Sequence, residues 1–210
     1  MQRLALIDYG SGNLRSAEKA LVKVADGQAE ILVTSDPETI ARADRVVLPG
    51  VGAFAACMAA LQARDGAIEA MSEAVRTKGR PFLGVCVGMQ LLATRGLEFG
   101  ETAGLDWIPG DVRKLERADP SIKVPHMGWN SLLGVSDHPL FAPLAKGEVY
   151  FTHSFAIFPD DPADVAASVE HGGRFPAAVA RGNVAGVQFH PEKSQKPGLA
   201  LLARFLEWRP

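Results

Sequence analysis

Short apolar runs alternate with helix-spaced segments through the first 93 residues, and few architectures accept that alternation. Leu4 to Ile7, Ile31 to Val33, Val46 to Leu48 and Pro81 to Val85 have the length of strands. Their unbroken apolar character marks strands covered on both faces. Between them, Leu14, Ala17, Leu21 and Val24 keep helical spacing, with Asn13 placed to cap the helix. Pro37 suits the first turn of a short helix. Residues 54–78 read as two helices divided near Asp65-Gly66, and Val87 to Ala93 as another. Such alternation predicts parallel βαβ units. Residues 107–190 hold short strands broken by Pro and Gly, predicted to add antiparallel or mixed strands to the same sheet. Leu199 to Trp208 reads as a closing helix. The expected fold is α/β, a mostly parallel central sheet flanked by helices with added antiparallel strands in the second half. No polar linker interrupts it, so residues 1–210 are expected to form a single domain.

Composition narrows the function classes. The net charge is −2 and no basic block is present, which argues against a nucleic-acid partner. The first apolar stretch ends at Ile7, too short for a signal or a membrane span. Two cysteines are too few for a disulfide framework, and a reducing cytoplasm is expected. No metal or cofactor is expected.

Gly84-Val85-Cys86-Val87-Gly88 has the small-x-nucleophile-x-small form of a nucleophile elbow, with Cys as the reactive residue. A strand must turn sharply into a helix there, and Gly84 and Gly88 remove side chains that would collide. A helix N-terminus and a nearby histidine would favour the thiolate. A structural cysteine beside a tight turn is the lesser alternative that the pentapeptide alone leaves open. Cys57 lies in a helical run and reads as packing.

Of five histidines, His190 stands out, because it ends the apolar run Gly186-Val187-Gln188-Phe189 and is followed by Pro191-Glu192. Pro191 biases His190 towards extended backbone, so residues 190 and 192 point the same way. Glu192 could then hold one imidazole nitrogen while the other faces the thiol. Alone, the pair reads equally as a turn histidine with a solvated glutamate. Beside the Cys86 elbow, the triad reading is favoured.

Acyl chemistry also needs donors for an oxyanion. One candidate is the backbone N–H of Val87, next to the nucleophile. The second is the loop Gly50-Val51-Gly52 after the third strand, which on its own reads more readily as a turn opening a helix, with no catalytic part.

Taken together, these motifs resemble the class I (triad-type) glutamine amidotransferases, and in particular the glutaminase subunits of imidazole glycerol phosphate synthases of histidine biosynthesis. The resemblance spans nearly the whole chain. It includes Ile7-Asp8-Tyr9-Gly10, Leu48-Pro49-Gly50-Val51-Gly52, the Cys86 elbow through Leu92, Tyr150-Phe151-Thr152-His153-Ser154-Phe155 and Gly186 to Ser194. The Asp8-Tyr9-Gly10 start and Pro125-His126-Met127-Gly128-Trp129-Asn130 are what single out this subunit.

The resemblance implies hydrolysis of glutamine to glutamate and ammonia through a thioester on Cys86, with His190 and Glu192. Ammonia would pass to a cyclase subunit with a TIM-barrel fold, expected as a separate protein because 210 residues leave no room for a second barrel domain. It also implies that Gly52, Gln90, Ser154 and Phe155 hold glutamine, and that Asn13, Trp129 and Tyr150 lie near the cyclase. Phe155 stands where the family often has Tyr, and Val87 where Leu is common. His126 and His153 are expected to be structural, bonded to backbone, and Met127 to be core. Service to another synthase, such as those making anthranilate, guanylate or pyridoxal phosphate, is one alternative. A silent partner-binding subunit is the other.

Overall fold

The apolar runs become the adjacent, parallel strands of one sheet in the computed structural model, which describes residues 1–210. The first half runs β1 (Gln2–Ile7), α1 (Leu14–Ala25), β2 (Ala29–Thr34), α2 (Pro37–Ala41), β3 (Arg45–Gly50), α3 (Phe54–Gln62), α4 (Ala67–Ser72), β4 (Phe82–Cys86) and α5 (Val87–Gln90). Leu4 to Ile7 in β1 and every residue of β3 and β4 are buried, as expected for strands covered on both faces. Asp36 caps α2 by accepting from the Thr39 N–H at 2.9 Å, with Pro37 in the first turn. Gly66, at φ +73°, breaks the helical stretch where the sequence placed the division, and α4 continues as a π-helical turn over Glu73–Thr77.

The second half supplies β5 (Arg95–Gly96), β6 (Thr102–Ala103), β7 (Gly110–Lys114), β8 (His126–Leu133), β9 (Glu148–His153), β10 (Phe155–Pro159), β11 (Val165–Glu170), β12 (Arg174–Arg181), β13 (Val184–Val187) and α6 (Gln195–Glu207). The main sheet has nine strands in the order β2-β1-β3-β4-β13-β12-β11-β8-β9. The strands from β2 to β13 pair in parallel, and those from β13 to β9 antiparallel. A cluster of 57 buried residues forms the core.

Four expectations change. A separate four-stranded sheet, β10-β7-β5-β6, stands beside the main one, so not all the later strands extend the first sheet. The helix expected to reach Ala93 leaves regular geometry after Gln90. The carbonyls of Leu91, Leu92 and Ala93 are taken by the N–H groups of residues 105–108, which turns the chain away. Helix α6 starts four residues earlier than expected and absorbs Pro197 and Gly198. A side chain at Gly198 would overlap the Pro191 carbonyl. Asn13 makes no side-chain capping bond to α1.

The contact that shapes the rim of the sheet lies between α5 and the ends of β3 and β4. A Cβ on Gly88 would overlap the Leu48 carbonyl oxygen, and one on Gly84 would lie 2.5 Å from the Gly88 oxygen. A Cβ on Gly50 would lie 2.6 Å from the Gly88 nitrogen. These are backbone obstacles that no rotamer change relieves. Gly88→Ala is therefore expected to cost about 3 kcal/mol or more of stability. Gly12→Ala, whose methyl would meet only Val51 at 3.5 Å, is expected to stay within about 0.5 kcal/mol of wild type. Urea unfolding measures both, and equal midpoints for the two variants would contradict the packing described.

Candidate active site

Parallel register sets the site. Gly50 of β3 pairs with Cys86 of β4, and Val187 of β13 pairs with Val85. The carboxyl ends of three neighbouring strands thus deliver the Gly50–Gly52 loop, Cys86 and the segment leading to His190 to one edge. Cys86 sits at φ 55° and ψ −113°, a strained backbone for a non-glycine residue, as the elbow requires. It is buried apart from a sliver that faces a cavity of about 290 Å³. Val51, Gly52, Val87, Gln90, Ser154, Phe155 and His190 line the same cavity. Its volume lies at the small end for ligand pockets and suits an amino-acid-sized molecule.

His190 is fully buried, and its Nδ1 lies 2.8 Å from Glu192 Oε1. Asn13, also buried, donates from Nδ2 to the same carboxylate oxygen at 3.2 Å. The residue expected near a partner surface thus lies behind the His-Glu pair. His190 Nε2, the nitrogen expected to face the thiol, has no hydrogen-bond partner of good geometry. The thiol is nevertheless near enough to influence the ring. Catalytic hydrogen bonds are often long or misaligned before substrate binds and tighten in the reacting complex.

The electrostatics separate the histidines. Burial lowers the pKa of His190, but the Cys86 sulfur and the Glu192 carboxylate outweigh it and push the imidazole up to about 9. For Glu192, burial raises the pKa, and the bond and charge of His190 with the Asn13 amide turn the net shift downward. His126 and His153 go the other way: desolvation, with neighbouring imidazoles, lowers them to about 3 and about 4. Both are neutral rings in a hydrogen-bonded chain. His153 Nδ1 meets the Phe155 carbonyl at 2.9 Å, its Nε2 meets His126 Nδ1 at 3.1 Å, and Asn130 reaches His126 Nε2 at 3.3 Å. His153 alone of the two bonds to backbone.

Gln90 is committed differently from the expectation. Its Nε2 donates to the Phe155 carbonyl at 2.9 Å and to Gln188 Oε1 at 3.0 Å, leaving Oε1 as the atom it can offer a ligand. The loop is tethered at both ends: Tyr9 Oη donates to the Pro49 carbonyl at 2.7 Å, and Cys57 Sγ to the Val51 carbonyl at 3.4 Å. Two residues without an assigned role enter the site. Glu98, which accepts the Phe54 N–H at 2.9 Å, puts a carboxylate on the cavity wall, and its loop position carries no periodic signal. Gln188 approaches the sulfur, and its place two residues before His190 on an extended segment was a readable sign.

Trp129 of β8 and Tyr150 of β9 are register partners in edge-to-face contact, with ring centroids 5.7 Å apart. Met127 is 64% exposed and corrects the expectation of a core residue. Alternation along β8 turns Met127, Trp129 and Leu133 outward while His126 faces in.

A family model described as glutamine amidotransferase class-I matches residues 5–208, and the chain belongs to that family. It is 62% identical over 214 residues to imidazole glycerol phosphate synthase subunit HisH of Caulobacter vibrioides, across the full length of both chains. It is 55% identical over 208 residues to the protein of that name from Zymomonas mobilis subsp. mobilis, covering 99% of this chain and 96% of that one. Among solved structures it is similar to a glutamine amidotransferase at TM-score 0.71 and 18% identity, with 97% of each chain covered, a likeness of fold alone. No helix is long and apolar enough to cross a membrane.

The His190 pKa is a stability statement as well. A histidine raised in the folded state contributes stability that is complete below its unfolded value and is lost as pH rises through the folded one. That contribution is expected to fade between about 6.5 and about 9. In Glu192→Gln the carboxylate charge is gone, so the NMR titration midpoint of His190 is expected to fall from wild type and the alkaline loss to shrink. An unmoved midpoint would contradict the pairing.

Proposed function

We propose that this chain is the glutaminase subunit of an imidazole glycerol phosphate synthase, hydrolysing glutamine and delivering the ammonia to a separate TIM-barrel cyclase. The observation that carries the reading is the meeting of Cys86 and His190 on one small cavity, with Glu192 bonded to the far nitrogen of the imidazole, in a chain so similar to HisH subunits along its whole length. We place it in the cytoplasm, where its two free thiols, Cys57 and Cys86, stay reduced.

In this reading the proton of the thiol resides on His190 Nε2, and Sγ attacks the carboxamide carbon of glutamine. The resulting oxyanion lies against the Val87 N–H, with the second donor drawn from the Gly50–Gly52 loop. The imidazolium gives its proton to the departing nitrogen, and ammonia leaves a γ-glutamyl thioester. Water, deprotonated by the same imidazole, attacks the thioester and releases glutamate. Glu192 holds the ring orientation and stabilises its positive charge. Gln90 Oε1, Gly52, Ser154 and Phe155 surround the substrate. Glu98 supplies the negative charge that an α-ammonium group needs, a complementarity that suits an amino acid.

The cyclase would dock over the outward apolar residues of β8, with Trp129 and Tyr150 as aromatic anchors. Asn13, being buried, would sense the partner through Glu192 rather than touch it broadly.

Cys86→Ala is expected to abolish synthesis from glutamine in the reconstituted complex and to leave synthesis from ammonium salts intact. Loss of both would contradict this division of labour. Trp129→Ala is expected to weaken the complex by about 2 kcal/mol, roughly thirty-fold in Kd, as measured by calorimetric titration. The isolated chain is expected to hydrolyse glutamine weakly until the cyclase and its nucleotide substrate are added, and full activity without them would count against a partner-completed oxyanion site.

A further inference from the structure

Gln188 is a fully buried amide, and its surroundings fix which way it faces. A backbone carbonyl can only accept. The group of Gln90 that lies 2.9 Å from the Phe155 carbonyl must therefore be its NH₂. That same NH₂ lies 3.0 Å from the Gln188 side chain, so the atom it meets there must be Oε1. The remaining end of Gln188 is then Nε2, and it lies 3.7 Å from Cys86 Sγ. The orientation of the donor is thus dictated step by step from a main-chain oxygen that cannot rotate independently.

Register explains why the donor arrives there. β13 runs parallel to β4 with Val187 opposite Val85, so the next residue of each strand lies side by side beyond the paired segment. Gln188 is thereby held by the same sheet that holds the nucleophile, and its N–H to the Ala177 carbonyl, at 2.9 Å, ties it to β12 as well. Sulfur is a weak acceptor as a thiol and a strong one as a thiolate, so an N–H aimed at it favours the ionised form. The Gln188 amide is the side-chain donor whose geometry to this sulfur is that of a hydrogen bond, while His190 Nε2 lies close without good alignment.

We propose that Gln188 is the donor that positions the Cys86 sulfur and favours its thiolate, with Gln90 and the Phe155 carbonyl holding Gln188 in the donating orientation. The inference rests on the reading of Cys86 as nucleophile. It gives Gln188 a role in the reaction distinct from that of Glu192: the carboxylate stabilises the proton's destination, and the amide stabilises the atom it leaves. It also gives Gln90 two tasks, one towards the cavity through Oε1 and one towards the nucleophile through Gln188.

The test uses the full chain and two variants. Gln188→Glu keeps the acceptor for Gln90 but loses the donor. Gln188→Met loses both and carries no charge, so no new carboxylate can account for its behaviour. The readout is the rate of Cys86 alkylation by iodoacetamide against pH, followed on the Cys86 peptide by mass spectrometry so that Cys57 is not counted. Both variants are expected to shift the midpoint upward, the Met variant by about one pH unit. With the cyclase present, kcat for glutamine is expected to fall about ten-fold in the Met variant, while ammonium-dependent synthesis is unchanged. A purely structural role would alter melting temperature or KM and leave the alkylation profile of both variants on that of wild type, and that result overturns the proposal. If one variant fails to fold, the other decides. Failure of a glutamine-analogue alkylator to label Cys86 in the wild-type complex would instead remove the nucleophile reading itself.

Discussion

The closeness of α5 to the ends of β3 and β4 is the constraint on which the site depends. Three backbone segments meet where Gly50, Gly84 and Gly88 carry no side chains, and a methyl at any of them would run into a neighbouring main chain. That approach forces the turn in which Cys86 adopts a positive φ. Strain of this kind costs about 1–3 kcal/mol and persists only because the surroundings leave no alternative. The buried strands on either side supply that rigidity, since burying a single leucine contributes about 1.5–3 kcal/mol. Stability invested in the sheet is thus what keeps one sulfur exposed to one cavity.

The first half of the fold was legible because its strands are buried on both faces, which writes them as unbroken apolar runs. Its helices alternate with them at regular intervals. The later strands were harder to assign because short segments broken by Pro and Gly do not say which sheet they join. Thr102–Ala103 and Arg95–Gly96 are two-residue strands held by tertiary pairing. The early end of regular helix at Gln90 was invisible for a similar reason: residues 105–108, distant in local pattern, capture the carbonyls that would continue it. The start of α6 was masked by Pro197 and Gly198, which read as breakers although proline is tolerated in a first turn.

At the site, sequence identified residues better than it assigned their contacts. Cys86, His190, Glu192 and Gln90 could be picked out by motif, and the structure gathers them at one cavity or directly behind its wall. What spacing could not supply was hydrogen-bond partnership. Asn13, 179 positions from Glu192, finds its carboxylate only after folding. Gln90 spends its amide protons on protein atoms. Met127 was misplaced because a methionine within a motif reads as core, whereas alternation along β8 exposes it beside Trp129. Environment also sorts three histidines of one chemistry into two classes. The Glu192 carboxylate and the Cys86 sulfur sustain charge on His190, while desolvation keeps His126 and His153 neutral.

The Phe155 carbonyl receives two donors, the Gln90 amide and the His153 imidazole, each at 2.9 Å. One branch runs to the sulfur and the other to Asn130 beneath the aromatic face of β8. Because a peptide oxygen can only accept, it fixes the donor end of each branch, and no single member can turn over without stranding the next. The two arms therefore share a pivot in the main chain. A small displacement of β10 would tilt both together, making that strand a mechanical fulcrum between the outer surface and the reacting atom.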